Sequence, residues 1–226
     1  MTDRILPGIA SMSLHRNGTT TVTSTDGRTL SSPLPPGTFT DSSMIASCTY
    51  LPASSTLRCE TTRGDYIDIE IPSLADPPPL RGRPTVYLDQ NHWSTLAHAL
   101  HDPGRVRSAA ELDAARKLID LAKAKLVVLP VSAGHMHETC QDSIDERRYQ
   151  RALTMLQLSA GWRLTDPLTL RRIELRIALS ARYHHPSPVN QSAVTLDPDV
   201  RFRSRSVAPP SPPFQIPAFS SSCRTP

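Results

Sequence analysis

Two acidic residues follow short apolar segments that are typical of buried β-strands. Asp89 comes directly after 85–88, and Glu138 lies on a predicted helix after 126–129. In an open parallel sheet, ligands bind outside the carboxyl ends of the strands. If the two strands are neighbours, the carboxylates meet at one edge and suit Mg²⁺ or Mn²⁺, which can activate water and stabilise a phosphoryl transition state. Asp89 has a structural alternative, because a strand-ending aspartate often forms a turn or caps a helix.

Three further side chains stand close to these acids in the sequence. Asp142 follows Glu138 by four residues, so both can share one helix face, and it is the nearest substitute for a third metal ligand. Asn91 could hydrogen-bond a carboxylate or a nucleotide, or it could cap the turn after the strand. His135 could lie beside the acids and orient a phosphate group.

Arginines cluster on two of the predicted helices. Arg147, Arg148 and Arg151 fall on one helix and are candidates for contact with the phosphate backbone of single-stranded RNA. A second cluster on the last helix contains Arg171, Arg172 and Arg176. Both clusters have a plain structural alternative, which is a solvated helix face.

Other chemistries are excluded or weaker. His137 and Glu138 begin an HExxH-like run that lacks its second histidine, which excludes a zincin site. His135, His137 and Cys140 could bind zinc, but their spacing spreads them around a helix. The sequence contains no glycine-rich phosphate loop, no Ser-His-Asp signature and no dinucleotide-binding fingerprint.

The elements that must position these residues alternate between strand and helix along 85–183. Apolar runs predict strands at 85–88 and 126–129, and a short third strand at 162–164. Helices are predicted near 92–101, from Ser108 to about 125, at 132–140, at 143–158, and from Asp166 to about Tyr183. Apolar spacing predicts a buried face on the second of these helices, and the last helix has apolar positions at Leu168, Ile173, Leu175 and Leu179. Alternating strands and helices imply a parallel sheet with right-handed crossovers.

Residues 1–75 have the pattern of a small antiparallel β domain. Asn17-Gly18 and Asp26-Gly27 are typical of two-residue hairpin loops. A three-residue loop at 62–64 would give Gly64 the left-handed conformation that such loops favour. The predicted register places Cys48 opposite Cys59, Tyr50 opposite Leu57, Cys59 opposite Ile67, and Leu57 opposite Ile69. All six side chains then share one apolar face, where the two cysteines are core thiols or, alternatively, a redox pair.

The composition bounds the remaining regions. The 226 residues include 22 prolines and carry a net charge of only +4, which permits nucleic-acid binding without demanding it. Three successive prolines predict a stiff linker at 76–84. Residues 184–226 are rich in proline and serine and predict a disordered tail. The sequence shows neither a membrane-length apolar segment nor a secretion signal, so we expect a soluble cytoplasmic protein with reduced cysteines.

The motif at 87–91, two apolar residues followed by Asp-x-Asn, resembles the opening motif of PIN domains, a family of metal-dependent nucleases. The segment from Pro130 through His135 to Glu138 resembles the second acidic motif of that family. The resemblance covers about 85–182. It implies a three-layer α/β fold, bound Mg²⁺ or Mn²⁺, and cleavage of single-stranded RNA, with Asp89 and Glu138 as metal ligands and catalytic residues.

The chain departs from the family after about residue 165. PIN domains normally supply a third and often a fourth acid from later elements, whereas this chain enters its Pro/Ser-rich tail. We therefore expect a partial PIN-like domain at 85–183, truncated or frame-shifted, that is weak or inactive as a ribonuclease. The alternative is a non-catalytic module that binds RNA or a protein partner, or that forms a homo-oligomer. Three converging carboxylates would favour the enzyme, and two would favour the alternative.

Overall fold

The computed structural model describes residues 8–41, 43–71, 80, 82–184 and 193–196. These residues form a mixed α/β fold in which a six-stranded antiparallel sheet precedes five α-helices. Part of the predicted linker and most of the predicted tail lie outside the described residues.

The antiparallel sheet has the strand order β3-β2-β1-β4-β5-β6. Its strands are β1 (Ile9–His15), β2 (Thr19–Ser24), β3 (Thr29–Pro33), β4 (Ile45–Leu51), β5 (Thr56–Thr61) and β6 (Tyr66–Glu70). Every neighbouring pair of strands is antiparallel. The predicted antiparallel strands are thus confirmed, and they join into a single sheet.

Three hairpin loops of this sheet share one form, with a glycine at the third of three loop positions. Gly18, Gly27 and Gly64 have φ values of 85°, 84° and 84°. Each donates its N–H to the carbonyl oxygen that precedes the loop, at 3.0, 2.9 and 3.0 Å. The prediction for 62–64 is confirmed. The two-residue loops predicted at Gly18 and Gly27 are wrong, because only the glycine in each loop adopts a positive φ.

The predicted register of strands β4, β5 and β6 is confirmed at every pair. The structure pairs Cys48 with Cys59, Tyr50 with Leu57, Cys59 with Ile67, and Leu57 with Ile69. The Sγ atoms of the two cysteines are 3.2 Å apart, and both cysteines are free thiols. Alternation of apolar and polar residues fixes this register, because a slip by one residue would turn the apolar side chains to the opposite face.

The helices are α1 (Gln90–His101), α2 (Ala109–Lys123), α3 (Ala133–Cys140), α4 (Asp145–Ser159) and α5 (Pro167–Arg182). The starts of α2 and α5 follow the predicted caps, and α3 begins at a cap that the sequence analysis did not assign. Ser108, Ser132 and Asp166 accept backbone hydrogen bonds at the beginning of α2, α3 and α5. These predictions succeed because a cap satisfies backbone donors only a few residues away.

The parallel sheet predicted for 85–183 is not formed by the residues that the structure describes. Isolated parallel bridges join Thr85 to Val128 and Val131 to Arg163, so the three predicted segments are neighbours without becoming a regular sheet. One reason is that Pro130 has no N–H with which to continue the ladder. Another is that the chain turns into α1 and α3 within a few residues of each bridge.

The predicted third strand forms as β7 (Arg163–Leu164), but its regular partner is an antiparallel strand, β8 (Val194–Thr195). Thr165 extends this pairing by donating its N–H to the carbonyl oxygen of Ala193 at 2.8 Å. The sequence predicts no strand at 194–195, since this segment lies within the Pro/Ser-rich tail.

The helical core lies between α1, α2 and α4. Its most buried large side chains include Trp93, Leu129 and Met155, each with no exposed surface. The predicted apolar face of α2 packs into this core. Helix α5 differs from the other helices, because none of its residues is buried and its exposed apolar side chains are Leu168, Leu175, Ile177 and Leu179. No described element covers these positions.

Helix α4 also packs on the apolar face of the sheet. Leu153 forms a buried cluster with Cys59 and Ile67. At the same contact, the Tyr149 hydroxyl lies 3.0 Å from Thr61 Oγ1 and donates to the Asp65 carboxylate at 2.6 Å. The sheet is therefore joined to the helices by both apolar packing and polar contacts.

A second junction forms around Glu70, at the end of β6. The Arg83 guanidinium donates to both carboxylate oxygens of Glu70, at 2.9 and 2.8 Å, and both side chains are largely buried. Trp162 Nε1 donates to the same carboxylate at 3.2 Å, and Lys125 Nζ lies 3.8 Å away. Burial acts to raise the pKa of Glu70, but Arg83, Trp162 and Lys125 outweigh it and hold the pKa below its ordinary value.

Gly161 makes the closest approach at this junction. Its φ is +89°, and a Cβ atom at this position would lie 2.6 Å from Cγ2 of Ile69 on β6. The neighbouring Ala160 accepts a hydrogen bond from the Glu70 N–H at 2.8 Å. Glycine is required here for its backbone conformation and for the absence of a side chain.

We predict that Gly161→Ala destabilises the protein by about 2 kcal/mol or more, since strain at a positive φ adds to a steric clash with β6. The matched control is Gly18→Ala, which has a similar φ of +85° but nothing within 4 Å of the added Cβ. Urea unfolding should show a clearly larger loss for Gly161→Ala. If both variants lose the same free energy of unfolding, the close approach of the added Cβ to Ile69 does not destabilise the protein.

We predict that Glu70→Gln destabilises the protein by about 3 kcal/mol at neutral pH, because it leaves the Arg83 guanidinium without its anionic partner. The Glu70 pKa is lowered on folding, so its contribution is complete above the ordinary value of 4.5 and is lost as the pH falls through the folded-state pKa. The difference in urea stability between the two proteins should therefore shrink as the pH falls below 4.5 and vanish below the folded-state pKa. A constant difference across pH 3 to 7 would contradict this assignment.

Candidate functional site

Asp89 lies at the N-terminus of α1 and caps the helix. Its Oδ1 atom accepts a hydrogen bond from the His92 N–H at 2.9 Å and lies 2.6 Å from His92 Nδ1. The backbone N–H of His92 is the main cause that lowers the pKa of Asp89. The structural alternative for Asp89 is thus realised, but more than half of the side chain remains exposed, at 54%. The carboxylate is anionic at neutral pH and open to solvent.

Glu138 is exposed on α3, and one hydrogen bond ties its helix to the start of α1. Gln90 Nε2 donates to Thr139 Oγ1 at 3.0 Å. These two residues directly follow Asp89 and Glu138 in the sequence. This hydrogen bond joins the segment that follows Asp89 to the helix that bears Glu138.

His135 is the buried residue of this site, with 4% of its surface exposed. Its ring stacks on Tyr87 at a centroid distance of 5.5 Å and meets Trp93 edge-on at 6.3 Å. Burial lowers its pKa, while Glu138, the Leu88 carbonyl and Asp89 act in the opposite direction. Both acids therefore lie within electrostatic reach of one imidazole.

The tautomer of His135 follows from its cap contact. Nδ1 accepts a hydrogen bond from the Ser132 N–H at 3.1 Å, so the proton of the neutral ring is on Nε2. The Leu88 carbonyl is the nearest influence on that nitrogen, yet no hydrogen bond of normal geometry satisfies it within the described chain. His135 thus offers a buried N–H donor, which suits a phosphate oxygen or water and does not suit a metal ion.

Buried polar atoms without hydrogen bonds concentrate around this site. In the described part of the chain there are four such side-chain atoms, and three belong here: Gln90 Oε1, Trp93 Nε1 and His135 Nε2. Buried polar groups are normally hydrogen-bonded, so each exception needs an explanation. A site that binds a polar ligand or ordered water provides one.

Asp142 is engaged in contacts with the start of α4. Its Oδ1 accepts a hydrogen bond from the Ile144 N–H at 3.0 Å, and its Oδ2 lies 3.4 Å from Arg151 Nη2. The side chain is only 14% exposed. Among the residues that the structure describes, no three His, Cys, Asp or Glu side chains are grouped so that they could hold a metal ion.

The remaining candidates near the acids have separate positions. Asn91 is exposed in the first turn of α1, where Asp89 provides the cap. His137 contacts Gln141 through Nε2 at 3.0 Å, and Cys140 is exposed. The zinc alternative with His135, His137 and Cys140 therefore has no support in the described residues.

The three arginines predicted on α4 have different surroundings. Arg148 pairs with Asp145 and donates to the Asp142 carbonyl oxygen at 3.0 Å. Arg147 and Arg151 line a cleft between α1 and α4. Sequence reasoning missed the other basic residues of that cleft, His98 and Arg105, because neither belongs to a cluster along the chain. The arginines of α5 are exposed.

The donor set of the site agrees with a hard divalent cation. Asp89 and Glu138 supply exposed carboxylates, and Gln90 supplies an unpartnered amide oxygen. Mg²⁺ is usually held by one or two carboxylates together with waters and substrate phosphates. Oxygen ligands of these kinds are the ones that Mg²⁺ and Mn²⁺ take in proteins.

The comparisons with known proteins found no relative of this chain. No family model matches the chain, and no significant match was found among curated proteins or solved structures. Within the described residues, no helix combines the length and apolar character that a membrane span needs.

We predict that the pKa of His135 lies below 6.5 and falls further in Glu138→Gln and in Asp89→Asn, because each change removes a carboxylate that stabilises the imidazolium. NMR titration of the histidine ring measures this value. The control is Glu174→Gln on α5, which should leave it unchanged. If neither substitution changes the pKa of His135, the two acids lie too far apart to form one site.

Proposed function

We propose that this chain binds single-stranded RNA and acts on it as a weak, divalent-metal-dependent ribonuclease of the PIN type. The observation that carries the proposal is the Gln90–Thr139 hydrogen bond of 3.0 Å, which joins the segments that bear Asp89 and Glu138. It is supported by the charges of both carboxylates, which act to raise the pKa of His135 against the effect of its burial. Mg²⁺ or Mn²⁺ is the cofactor that these ligands would take.

Each side chain has a role in the proposed site. Asp89 and Glu138 would hold the metal ion, which supplies activation of water and neutralises charge on the phosphate. The low pKa of Asp89 keeps its carboxylate anionic at neutral pH. The Nε2–H of His135 would donate to a phosphate oxygen, and Asn91 stands beside Asp89 to contact the nucleotide. Helix α1 fixes Asp89 through its cap to the His92 N–H.

Weak activity is expected because the acid set is small. Catalysis needs a water held in line as well as a bound metal ion, and a misplacement of about 1 Å can cost about a hundredfold in rate. Asp142, the expected third acid, is committed to Arg151 and to the start of α4. A site with two carboxylates can bind Mg²⁺ together with RNA phosphates but positions the attacking water poorly.

The second candidate function is a non-catalytic module that binds RNA or protein. The Asp142–Arg151 pair favours it, because it leaves only two acids near His135. The exposed apolar positions Leu168, Leu175 and Leu179 favour a protein partner or a second copy of this chain over RNA alone. A cytoplasmic location remains a prediction under both functions.

We predict slow cleavage of single-stranded RNA in the presence of Mn²⁺ or Mg²⁺, with a loss of about a hundredfold or more in Asp89→Asn and in Glu138→Gln. Asparagine also caps helices well, so Asp89→Asn removes the charge and keeps α1 intact. Asp113→Asn, an exposed change on α2, is the matched control. Cleavage is followed on a labelled oligonucleotide, with and without EDTA.

Three outcomes separate the candidates. Metal-dependent cleavage that both acid variants abolish supports the ribonuclease. Binding of RNA without cleavage in any metal supports the non-catalytic module. Cleavage that persists equally in Asp89→Asn would contradict the proposed site.

A further inference from the structure

A small basic cleft opens between the C-terminal half of α1 and the start of α4. Its charged and titratable lining consists of His98, Asp102, Arg105, Arg147 and Arg151. Arg105 comes from the short 3₁₀ turn that follows α1, while Arg147 and Arg151 come from α4. Three arginines from two separate elements thus face a single carboxylate in the lining.

The positive charge of the basic cleft is poorly neutralised. Arg147 and Arg151 lie one helical turn apart, and like charges at this spacing destabilise a helix. Asp142 partly neutralises Arg151 at 3.4 Å. Among the described residues, neither Arg105 nor Arg147 has an ion pair. An anion bound in the cleft would remove the repulsion.

His98 is exposed to the positive electrostatic potential of the same arginines. Burial and the charges of Arg105, Arg151 and Arg147 lower its pKa, and Asp102 opposes them only in part. The imidazole is therefore neutral at pH 7 and can donate one hydrogen bond to an anion. Ser94, one turn earlier on α1, also lines the cleft, although its hydroxyl donates to the Gln90 carbonyl oxygen at 2.8 Å.

We propose that the basic cleft binds a phosphate group of the RNA backbone, with Arg105 and Arg147 as the main ligands. Guanidinium groups present paired N–H donors that match phosphate oxygens, and they remain charged at all relevant pH values. The cleft is too small to enclose a base, so recognition is of the phosphate and independent of sequence. This inference rests on the proposed RNA-binding function.

The position of the basic cleft gives it a role distinct from that of the acid pair. Gln90, Ser94 and His98 follow each other at four-residue spacing, so they lie along one side of α1. His98 is nine residues from Asp89, which corresponds to about 13 Å along the helix axis. A phosphate held in the cleft would anchor the RNA strand at a distance from the proposed metal site.

The test is binding of a fluorescent single-stranded RNA oligonucleotide to the full chain in EDTA, where no metal-dependent cleavage occurs. We expect Arg105→Gln and Arg147→Gln each to weaken binding by about tenfold, as for the loss of a charged hydrogen bond. Arg116→Gln on α2 removes the same charge at an exposed position and is the control. The salt dependence should also decrease, by about 0.7 per lost contact on logarithmic axes.

Folding and ligand type are controlled separately. Circular dichroism and the urea midpoint show whether each variant is folded, and Arg147→Lys should recover part of the affinity because it restores the charge. Inorganic phosphate should compete with RNA for the wild-type chain and less effectively for Arg147→Gln. Direct binding of inorganic phosphate by the wild-type chain, without any RNA binding, would overturn the assignment to RNA.

The outcomes for the basic cleft and for the proposed nuclease are distinguishable. RNA binding that depends on Arg105 and Arg147, without cleavage in Mn²⁺, keeps the cleft and removes the nuclease. Cleavage with normal RNA binding in both arginine variants keeps the nuclease and overturns the cleft. The cleft is also overturned if Arg105→Gln and Arg147→Gln lose no more RNA affinity than Arg116→Gln does. Absence of RNA binding by the wild-type chain overturns it as well.

Discussion

The ion pair between Glu70 and Arg83 sets the relation of the antiparallel sheet to the helices. Glu70 ends the last strand of the sheet, and Arg83 opens the segment that leads to the site. The Val86 N–H donates to the Val128 carbonyl oxygen and the Val128 N–H donates to the Pro84 carbonyl oxygen, at 2.9 Å each. The segment that follows Arg83 is therefore held against the segment around Val128. Three residues after Val86, Asp89 begins α1. A buried ion pair adds little net stability by itself, but losing one partner is costly, and this makes it an effective positional constraint.

Helix α4 packs against both the sheet and the other helices, and it also bears residues of the proposed phosphate site. Leu153 contacts the sheet, whereas Met155 and Leu158 pack into the helical core, so the helix is covered on two sides. Arg147 and Arg151 are left at the edge that faces α1. The apolar residues that lock α4 in place therefore also hold the arginines of the basic cleft in a fixed position.

The sequence predicted the features that depend on near neighbours along the chain and missed those that depend on distant ones. The pairing of Cys48 with Cys59 and the cap at Ser108 follow from local alternation and local hydrogen bonding, and both are found. Regular parallel strands depend on which elements pack together, and that prediction failed. Arg105 was missed for the same reason, since only the turn after α1 brings it to Arg147. The ion pair of Asp142 with Arg151 could not be predicted either, because it depends on how the start of α4 folds back on the loop before it.

The contacts of Asp142 affect both the proposed metal site and the basic cleft. As a third metal ligand it would have to leave Arg151, whose side chain is only 18% exposed, and leave that charge without its partner. It would also release the Ile144 N–H at the start of α4. Both costs keep the carboxylate where it is, which limits the acid pair to two members and neutralises one arginine of the cleft. Arg105 and Arg147 keep their full charge in the same arrangement. The proposed metal site therefore lacks a third carboxylate, whereas the proposed phosphate site retains two guanidinium groups without an ion pair among the described residues.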